Sequence, residues 1–169
     1  LRPGDAEESA VAWKMALEST NHPVCMAFTR QAITVYEKAD KDWKNTVRKG
    51  AYIVQEGTKN PDITILATGS EVEMSLNAAK LVSGKNIRVV SVMDKTLFEK
   101  QDESFQKEII GNAKRVVVAE AGVSFGWEKY VSSKKDLFTI DRFGESGPAA
   151  KVAEDLKFTS ADLAKVLKG

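Results

Sequence analysis

Arg30 is the residue of this sequence whose chemistry and position are best suited to binding a ligand. It follows residues 24–28, an apolar run that predicts a buried strand, so we expect Arg30 at the carboxyl end of that strand. A guanidinium offers a planar fork of N–H donors that fits a phosphate or a carboxylate in two-pronged fashion. The spacing alone is equally compatible with a structural salt bridge, and both interpretations stay open.

Two turns, each between a predicted strand and a predicted helix, are weaker candidates for an anion site. Gly69 and Ser70 lie where free N–H groups and the helix dipole can hold a phosphate. No Gly-x-Gly-x-x-Gly or Gly-Lys-Ser/Thr motif accompanies them, so the sequence favours a plain turn in which Ser70 caps the helix. Gly144 and Gly147, within residues 143–148, likewise suit tight backbone geometry better than the close approach of a ligand.

The other reactive side chains are better explained by structural roles. Glu120 ends a predicted strand, where open α/β sheets collect ligands, but a hydrogen-bonded loop carboxylate is the favoured interpretation. Cys25, the single cysteine, is expected to be a small buried hydrophobe, and His22, the single histidine, a solvated loop residue. These two residues make no zinc site, and no Ser/His/Asp set has support in its spacing. The three tryptophans are scattered among predicted helices, so we expect them to pack in the core rather than to stack on bases. They are Trp13, Trp43 and Trp127.

The composition predicts a globular protein without a general affinity for anionic polymers. The 169 residues are 43% hydrophobic, which is enough for one core with a smaller piece attached. The 25 Lys and Arg nearly balance the 24 Asp and Glu, so we expect neither nucleic acid nor a membrane as a partner. No apolar run approaches the roughly 20 residues that span a bilayer, and no secretory signal pattern is present, so we expect a cytoplasmic protein. Leu1 is not an initiator methionine, and we expect a piece of a longer chain.

Apolar runs that alternate with helical patterns predict a three-layer αβα sandwich, an α/β fold with a mostly parallel, mixed sheet of about five strands. Asp5 is the expected N-cap of a first helix that ends near Glu18, and residues 32–49 read as a charged linker with a helical turn or two. The expected strands of the sheet lie at residues 51–57, 63–69, 87–93, 114–122 and 137–144. Further helices are expected between Ser70 and Gly84 and at about 103–110, 127–132, 148–156 and 160–167.

These segments together resemble the carboxyl-terminal part of bacterial-type transketolases. The stretches that carry the resemblance are, in chain order, AFTRQ, GAYIVQEG, PDITILATGSEV, IRVVSVM, RVVVAEAG, WEKY and FGESGPAAKVAEDLKFTSADLAKVL. Each stretch alone is unspecific, but their order over essentially the whole chain is specific. The resemblance implies that residues 1–31 are the last helix and strand of a pyrimidine-binding domain, residues 32–49 a linker, and residues 50–169 a transketolase C-terminal domain.

The resemblance also implies a chemistry and a role for Arg30. Transketolases move a two-carbon ketol unit between phosphorylated sugars of the pentose phosphate pathway, using thiamine diphosphate and a divalent metal, Mg or Ca. Arg30 matches the arginine of the family's Ser-Arg-Gln stretch, which contacts the sugar phosphate at the entrance of the active site. Thr29 stands in place of the usual serine, and residues 32–34 differ from the common Asn-Leu-Pro.

The family's cofactor site has no counterpart in this sequence. That site is built around a Gly-Asp-Gly stretch and later Asn ligands in an amino-terminal domain, and the acidic residue and histidines that assist the chemistry also lie upstream. The resemblance therefore implies a chain that is inactive alone, holds no cofactor or metal, and works with the remainder of a transketolase chain and a second subunit of a homodimer.

Two alternatives to a transketolase remain open. The first is a related thiamine enzyme, such as a deoxyxylulose phosphate synthase or an E1 beta subunit, because the C-terminal domain recurs across that superfamily. The TRQ and FGESGP stretches favour transketolase over it. The second is a regulatory module that binds an anion or a nucleotide at ATGS or FGESG.

Overall fold

Five short runs form one sheet, and four of them contain several valines or isoleucines, whose β-branched side chains fit its pleated surface. The computed structural model describes all residues, 1–169. Its strands are β1 (Ala51–Gln55), β2 (Ile63–Ala67), β3 (Ile87–Val92), β4 (Arg115–Glu120) and β5 (Leu137–Thr139). They lie in the order β1-β3-β2-β4-β5, with β1 antiparallel to β3 and the other neighbours parallel. The predicted α/β class with a five-stranded mixed sheet is confirmed.

Seven α-helices connect and flank the strands. They are α1 (Ala6–Glu18), α2 (Trp43–Thr46), α3 (Glu71–Lys80), α4 (Lys95–Glu99), α5 (Glu103–Ile110), α6 (Ala149–Asp155) and α7 (Ser160–Lys168). Short 3₁₀ turns lie at Val47–Lys49, Glu128–Tyr130 and Lys134–Asp136. Asp5 caps α1 as predicted, since its carboxylate accepts a hydrogen bond from the N–H of Glu8 at 2.8 Å. The longest helix, α1, has 13 residues, and none has the length and apolar character needed to cross a bilayer.

The sheet separates two apolar layers. Ile65 and Leu66 are neighbours on β2, both fully buried, and they belong to different clusters because successive strand residues point to opposite faces. The Ile65 face packs against α1, α2, α3 and α7, and the Leu66 face packs against α4 and α5. This arrangement confirms the expected three layers.

Residues 1–49 pack directly on the sheet. Ala12 of α1, Tyr36 and Trp43 are buried in the same cluster as Tyr52 of β1. The rings of Trp43 and Tyr52 have their centroids 5.4 Å apart. The apolar core is therefore continuous across residue 50, where the sequence predicts the start of a separate domain.

The apolar run at residues 24–28 forms no strand, contrary to the prediction. Its backbone bonds only to the start of the chain: the Ala27 N–H donates to the Leu1 carbonyl at 2.9 Å, and the Leu1 amino group donates to the Cys25 carbonyl at 2.7 Å. A strand needs a neighbouring strand to satisfy its backbone, and one residue does not provide it. The prediction that Cys25 is buried is also wrong, because no sheet covers this run and its side chain is exposed.

Three further elements differ from the predictions. The last strand ends at Thr139 rather than near residue 144. After Thr139 the chain bonds to the loop that follows β4, because the Ile140 N–H donates to the Gly122 carbonyl at 3.0 Å. The helix expected at 127–132 is only the 3₁₀ turn at Glu128–Tyr130. Helix α4 was not predicted, since five residues are too few to show a helical period.

Candidate functional site

Three residues singled out from the sequence converge on one cleft of about 450 Å³ at the carboxyl edge of the sheet. Arg30 comes from the segment before the linker, Ser70 from the start of α3, and Gly147 from the turn before α6. Gly69 and Gly144 are not among the residues that line this cleft. The fold thus brings to one cleft residues that lie more than 100 positions apart in the sequence.

Arg30 is the unpaired cation of this cleft. It is exposed, and no carboxylate of the chain lies within 4.0 Å of its guanidinium. A structural salt bridge was one of the two interpretations of Arg30, and Arg30 makes none within these 169 residues. The other interpretation, binding of a phosphate or a carboxylate, stays a prediction.

The Thr29 hydroxyl shapes the turn that presents Arg30. Its oxygen accepts a hydrogen bond from the Gln31 N–H at 3.2 Å, and the hydroxyl donates to the Gln31 side-chain oxygen. A hydroxyl that binds the backbone two residues on imitates a backbone turn. The replacement of serine by threonine keeps this hydroxyl, so the departure from the family stretch preserves the turn chemistry.

Ser70 does not cap α3, contrary to the prediction. Its hydroxyl donates instead to Glu71 Oε1 at 2.7 Å, and no helix N–H binds it. Gly69 has a left-handed φ of +54°, and an added Cβ there would lie 3.2 Å from the Arg2 guanidinium. Glu71 is almost completely buried, and burial raises the pKa of its carboxyl, while Arg2 opposes the shift. A second carboxylate, Glu120, lies close by, so the surroundings of Gly69 and Ser70 disfavour an anion.

Glu120 at the end of β4 is a hydrogen-bonded carboxylate, which was the interpretation favoured from the sequence. Thr68 Oγ1 donates to it at 2.7 Å and the Gly122 N–H at 2.9 Å. Its cation partner is Arg2, which the sequence-based reasoning missed. The two residues are 118 positions apart, and no local pattern connects them.

Another buried carboxylate, Glu8, fixes α1 and the linker to β1. Its Oε1 accepts hydrogen bonds from the hydroxyl groups of Tyr36 at 2.6 Å and Tyr52 at 2.7 Å. Its Oε2 accepts one from the Gly4 N–H at 2.8 Å. Burial raises the pKa of this carboxyl, and the three donors act in the opposite direction by stabilising its ionised form. Glu8 thereby ties the segment that leads to Arg30 to the sheet.

The structure also shows the surroundings of His22 and of the three tryptophans. His22 is exposed, and its Nδ1 lies 3.2 Å from the Ser19 hydroxyl, which agrees with a solvated loop residue. Trp43 and Trp127 are buried, as packing residues should be. Trp13 is 53% exposed, so the expectation of packing fails for it within this chain.

Comparison with known proteins identifies the family. A family model described as the transketolase-like TK C-terminal domain matches residues 50–159. The transketolase of Treponema pallidum is 48% identical over 168 residues, which cover 99% of this chain and 25% of the relative. A probable transketolase of Streptococcus pneumoniae is 42% identical and is covered to 26% of its length. A mutant transketolase of Pichia stipitis, solved in complex with fructose 6-phosphate, is 33% identical with a TM-score of 0.88, over 99% of this chain and 24% of that one.

This chain spans about a quarter of the length of the curated relatives it matches. These matches favour neither a related thiamine enzyme nor a regulatory anion-binding module. The family model covers more than half of the 169 residues, and the fold and the relatives agree with it. The chain therefore belongs to the transketolase family, as a member that contains the transketolase C-terminal domain.

Proposed function

We propose that this chain is the carboxyl-terminal part of a transketolase, a cytoplasmic transferase that moves a two-carbon ketol unit between phosphorylated sugars of the pentose phosphate pathway. The observation that carries the proposal is the unpaired Arg30 in a cleft at the carboxyl edge of the sheet, in a chain similar to transketolases over 99% of its length. The fructose 6-phosphate complex of the Pichia stipitis relative supports a phosphorylated sugar as the ligand class.

Arg30 is proposed to bind the phosphate of the sugar. Its two terminal nitrogens can each donate to a different phosphate oxygen, and this paired geometry fixes orientation as well as distance. A sugar that is anchored at its phosphate presents its carbonyl end in a restricted set of positions, which lowers the entropic part of the barrier to carbon–carbon cleavage. Arg30 is therefore a substrate-positioning residue in this proposal.

The cofactor belongs to another part of the enzyme. Thiamine diphosphate is held in transketolases with a divalent metal, Mg or Ca, which prefers oxygen ligands. The residues of this chain do not fit such a site, because no group of three or more His, Cys, Asp or Glu side chains is placed to hold a metal ion. We propose that the remainder of the transketolase chain and a second subunit of a homodimer supply it, and that this chain alone is inactive.

The proposed division of the chain follows the sequence. Residues 1–31 would complete the pyrimidine-binding domain, residues 32–49 would form the linker, and residues 50–169 the C-terminal domain. The family model begins at residue 50, which supports the second boundary. The linker is then part of the packing between the two domains, because Tyr36 and Trp43 lie in the core next to β1.

The test is a kinetic comparison in the complete transketolase that carries this chain. Replacing Arg30 by alanine removes a charge-assisted, two-pronged contact, so we expect KM for phosphorylated sugars to rise about 10- to 100-fold. The KM for a ketol donor without a phosphate and the affinity for thiamine diphosphate should stay unchanged. Steady-state transfer assays with both donors and a calorimetric titration of the cofactor measure these quantities.

The Arg48→Ala variant is the matched control. Arg48 is a partly exposed arginine outside the Arg30 cleft, paired with Glu18 at 2.5 Å, and its loss should change neither KM. Absence of ketol transfer in the complete wild-type enzyme would contradict the proposed function. Full transfer with an unaltered phosphate-dependent KM in the Arg30→Ala variant would leave the function standing and remove the role of Arg30.

A further inference from the structure

The crevice between the carboxyl ends of β2 and β4 is the place where a sheet of this topology is expected to bind a ligand. The chain leaves β2 through α3 on one face of the sheet to reach β3, and it leaves β4 on the other face to reach β5. Neighbouring strands whose connections depart to opposite faces leave an open crevice beyond their carboxyl ends. Thr68 follows β2 and Glu120 ends β4 at this point.

Arg2 fills this crevice. Its Nη1 donates to Thr68 Oγ1 at 2.6 Å and to Glu120 Oε1, and its Nη2 donates to Glu71 Oε2 at 2.9 Å. The Arg2 side chain is 30% exposed, whereas those of Glu71 and Glu120 are 5% and 10% exposed. The two carboxylates are therefore nearly enclosed, and a single guanidinium supplies their counter-charge.

The protein holds the two carboxylates in place from behind. The Ala121 N–H donates to Glu71 Oε2 at 3.3 Å, and the Gly122 N–H donates to Glu120 Oε1 at 2.9 Å. Thr68 adds a hydrogen bond to Glu120 Oε2 at 2.7 Å. These contacts come from the C-terminal sheet and the loop after β4. The carboxylates of Glu71 and Glu120 therefore stay oriented to accept hydrogen bonds from a guanidinium that enters the crevice.

The backbone of Arg2 is anchored at the same edge. Its N–H donates to the Met93 carbonyl at 2.8 Å, and its carbonyl accepts from the Gly69 N–H at 3.1 Å. Arg2 is thus attached to the ends of β2 and β3 by its main chain and to the end of β4 by its side chain. The segment that begins with Arg2 also carries Glu8 and Arg30.

We propose that this crevice is a guanidinium-binding site that the chain occupies with its own Arg2, and that this internal ligand latches residues 1–49, including Arg30, onto the C-terminal sheet. A lysine cannot replace it fully, since an ammonium is a point charge and does not present the planar fork that reaches both carboxylates. The crevice is closed to phosphate-bearing ligands such as nucleotides, because two carboxylates face any anion that displaces Arg2. The proposal does not depend on the transferase activity.

Chemical rescue in the intact chain tests the latch. In the Arg2→Ala variant the crevice is vacant and the two carboxylates lose their counter-charge, so its unfolding temperature should fall. Methylguanidinium at millimolar concentration should restore the unfolding temperature of this variant. We expect the increase to be about 3 °C larger for the variant than for the wild-type chain. Methylammonium should not restore the unfolding temperature. Differential scanning calorimetry of both chains, with each salt at equal ionic strength, measures the difference.

Two further variants separate a binding site from a general salt effect. The Arg48→Ala chain, which loses an arginine with an exposed partner, should respond to methylguanidinium as the wild-type chain does. The Arg2→Ala, Glu120→Gln double variant should lose the response. If Arg2→Ala does not fold alone, the yield of folded protein on refolding with methylguanidinium becomes the measurement, and Arg2→Lys provides a chain with partial charge compensation. Equal responses of Arg2→Ala and wild-type chains, or rescue by methylammonium as effective as by methylguanidinium, would overturn the proposal.

Discussion

At the scale of single residues, Arg2 and Arg30 show how position assigns different roles to the same side chain. Arg30 is exposed and has no carboxylate partner in the chain, whereas Arg2 is enclosed by Glu71 and Glu120. Removing a guanidinium that is paired with two nearly enclosed carboxylates leaves their charges uncompensated, whereas a guanidinium in an open cleft is available to a ligand. Glu8 is the corresponding case among the acids, since it is buried with tyrosine donors rather than with a cation.

Glu8 should make the stability of the fold depend on pH. Burial raises the pKa of its carboxyl above the ordinary value of 4.5, so the folded chain binds this proton more tightly than the unfolded chain does. The contribution of Glu8 to stability is therefore present below pH 4.5 and declines as the pH rises toward the folded-state pKa. We expect the free energy of unfolding of the Glu8→Gln variant, measured by urea titration at a series of pH values, to fall less steeply with pH than that of the wild-type chain.

The Glu103→Gln variant is the control for this comparison. Glu103 has a side chain that is 87% exposed and pairs only with Lys107 one helical turn away, so its profile should follow the wild type. Glu71, whose pKa is also raised by burial, is present in all three chains and cancels in the comparison. Parallel pH profiles for Glu8→Gln and the wild type would show that Glu8 does not titrate as its burial implies.

At the scale of elements, turns decide where the strands begin. Gly50 joins the 3₁₀ turn at Val47–Lys49 to β1 and has a left-handed φ of +104°. Its N–H donates to the Val47 carbonyl at 2.8 Å, and its carbonyl accepts from the Asp94 N–H at 3.0 Å. The turn is thus fixed both to the linker and to the start of α4.

Replacing Gly50 by alanine should be strongly destabilising. An added Cβ would overlap the Phe98 nitrogen and lie 2.5 Å from the Asp94 carbonyl oxygen, and both are backbone atoms that cannot rotate away. The left-handed φ adds a penalty of its own, so we expect a loss of about 3 kcal/mol in the free energy of unfolding. Gly84→Ala is the matched control: its φ is +72° with no atom within 4 Å of the new Cβ, and it should cost only about 1 kcal/mol. Equal losses in urea titrations of the two variants would contradict the steric argument.

At the scale of the whole molecule, residues 1–49 and the C-terminal sheet form one core. Ala12, Tyr36, Trp43 and Val47 are buried with residues of β1, β2 and α3, and the partly buried ionic contacts of Arg2 join the same parts. Residues 32–49 therefore do more than connect α1 to the sheet. They cover the face of β1 that the helices of the C-terminal part leave open.

Two tryptophans test whether the linker belongs to the core. Trp43 is 7% exposed and contacts the ring of Tyr52, so Trp43→Ala should reduce the free energy of unfolding by about 3–5 kcal/mol. Trp13 is 53% exposed on α1, and Trp13→Ala should cost less than about 1 kcal/mol in this chain. Urea titrations followed by circular dichroism measure both. Similar effects of the two substitutions would show that the linker does not share the core of the sheet.

The local pattern of the sequence determined the positions of the five strands of the sheet and most helix limits, with α5 found at its predicted bounds. Such features are local, because burial repeats every two residues in a strand and about every 3.6 in a helix. Tertiary structure alone decided that residues 24–28 remain unpaired, that Ser70 binds Glu71 instead of capping α3, and that Arg2 reaches Glu120. These outcomes depend on which distant segments come together, and the energy of such contacts leaves no period in the sequence. The cleft lined by Arg30, Ser70 and Gly147 is of this second kind: the sequence pointed to each residue separately, and only the packing of the chain placed them around one cleft.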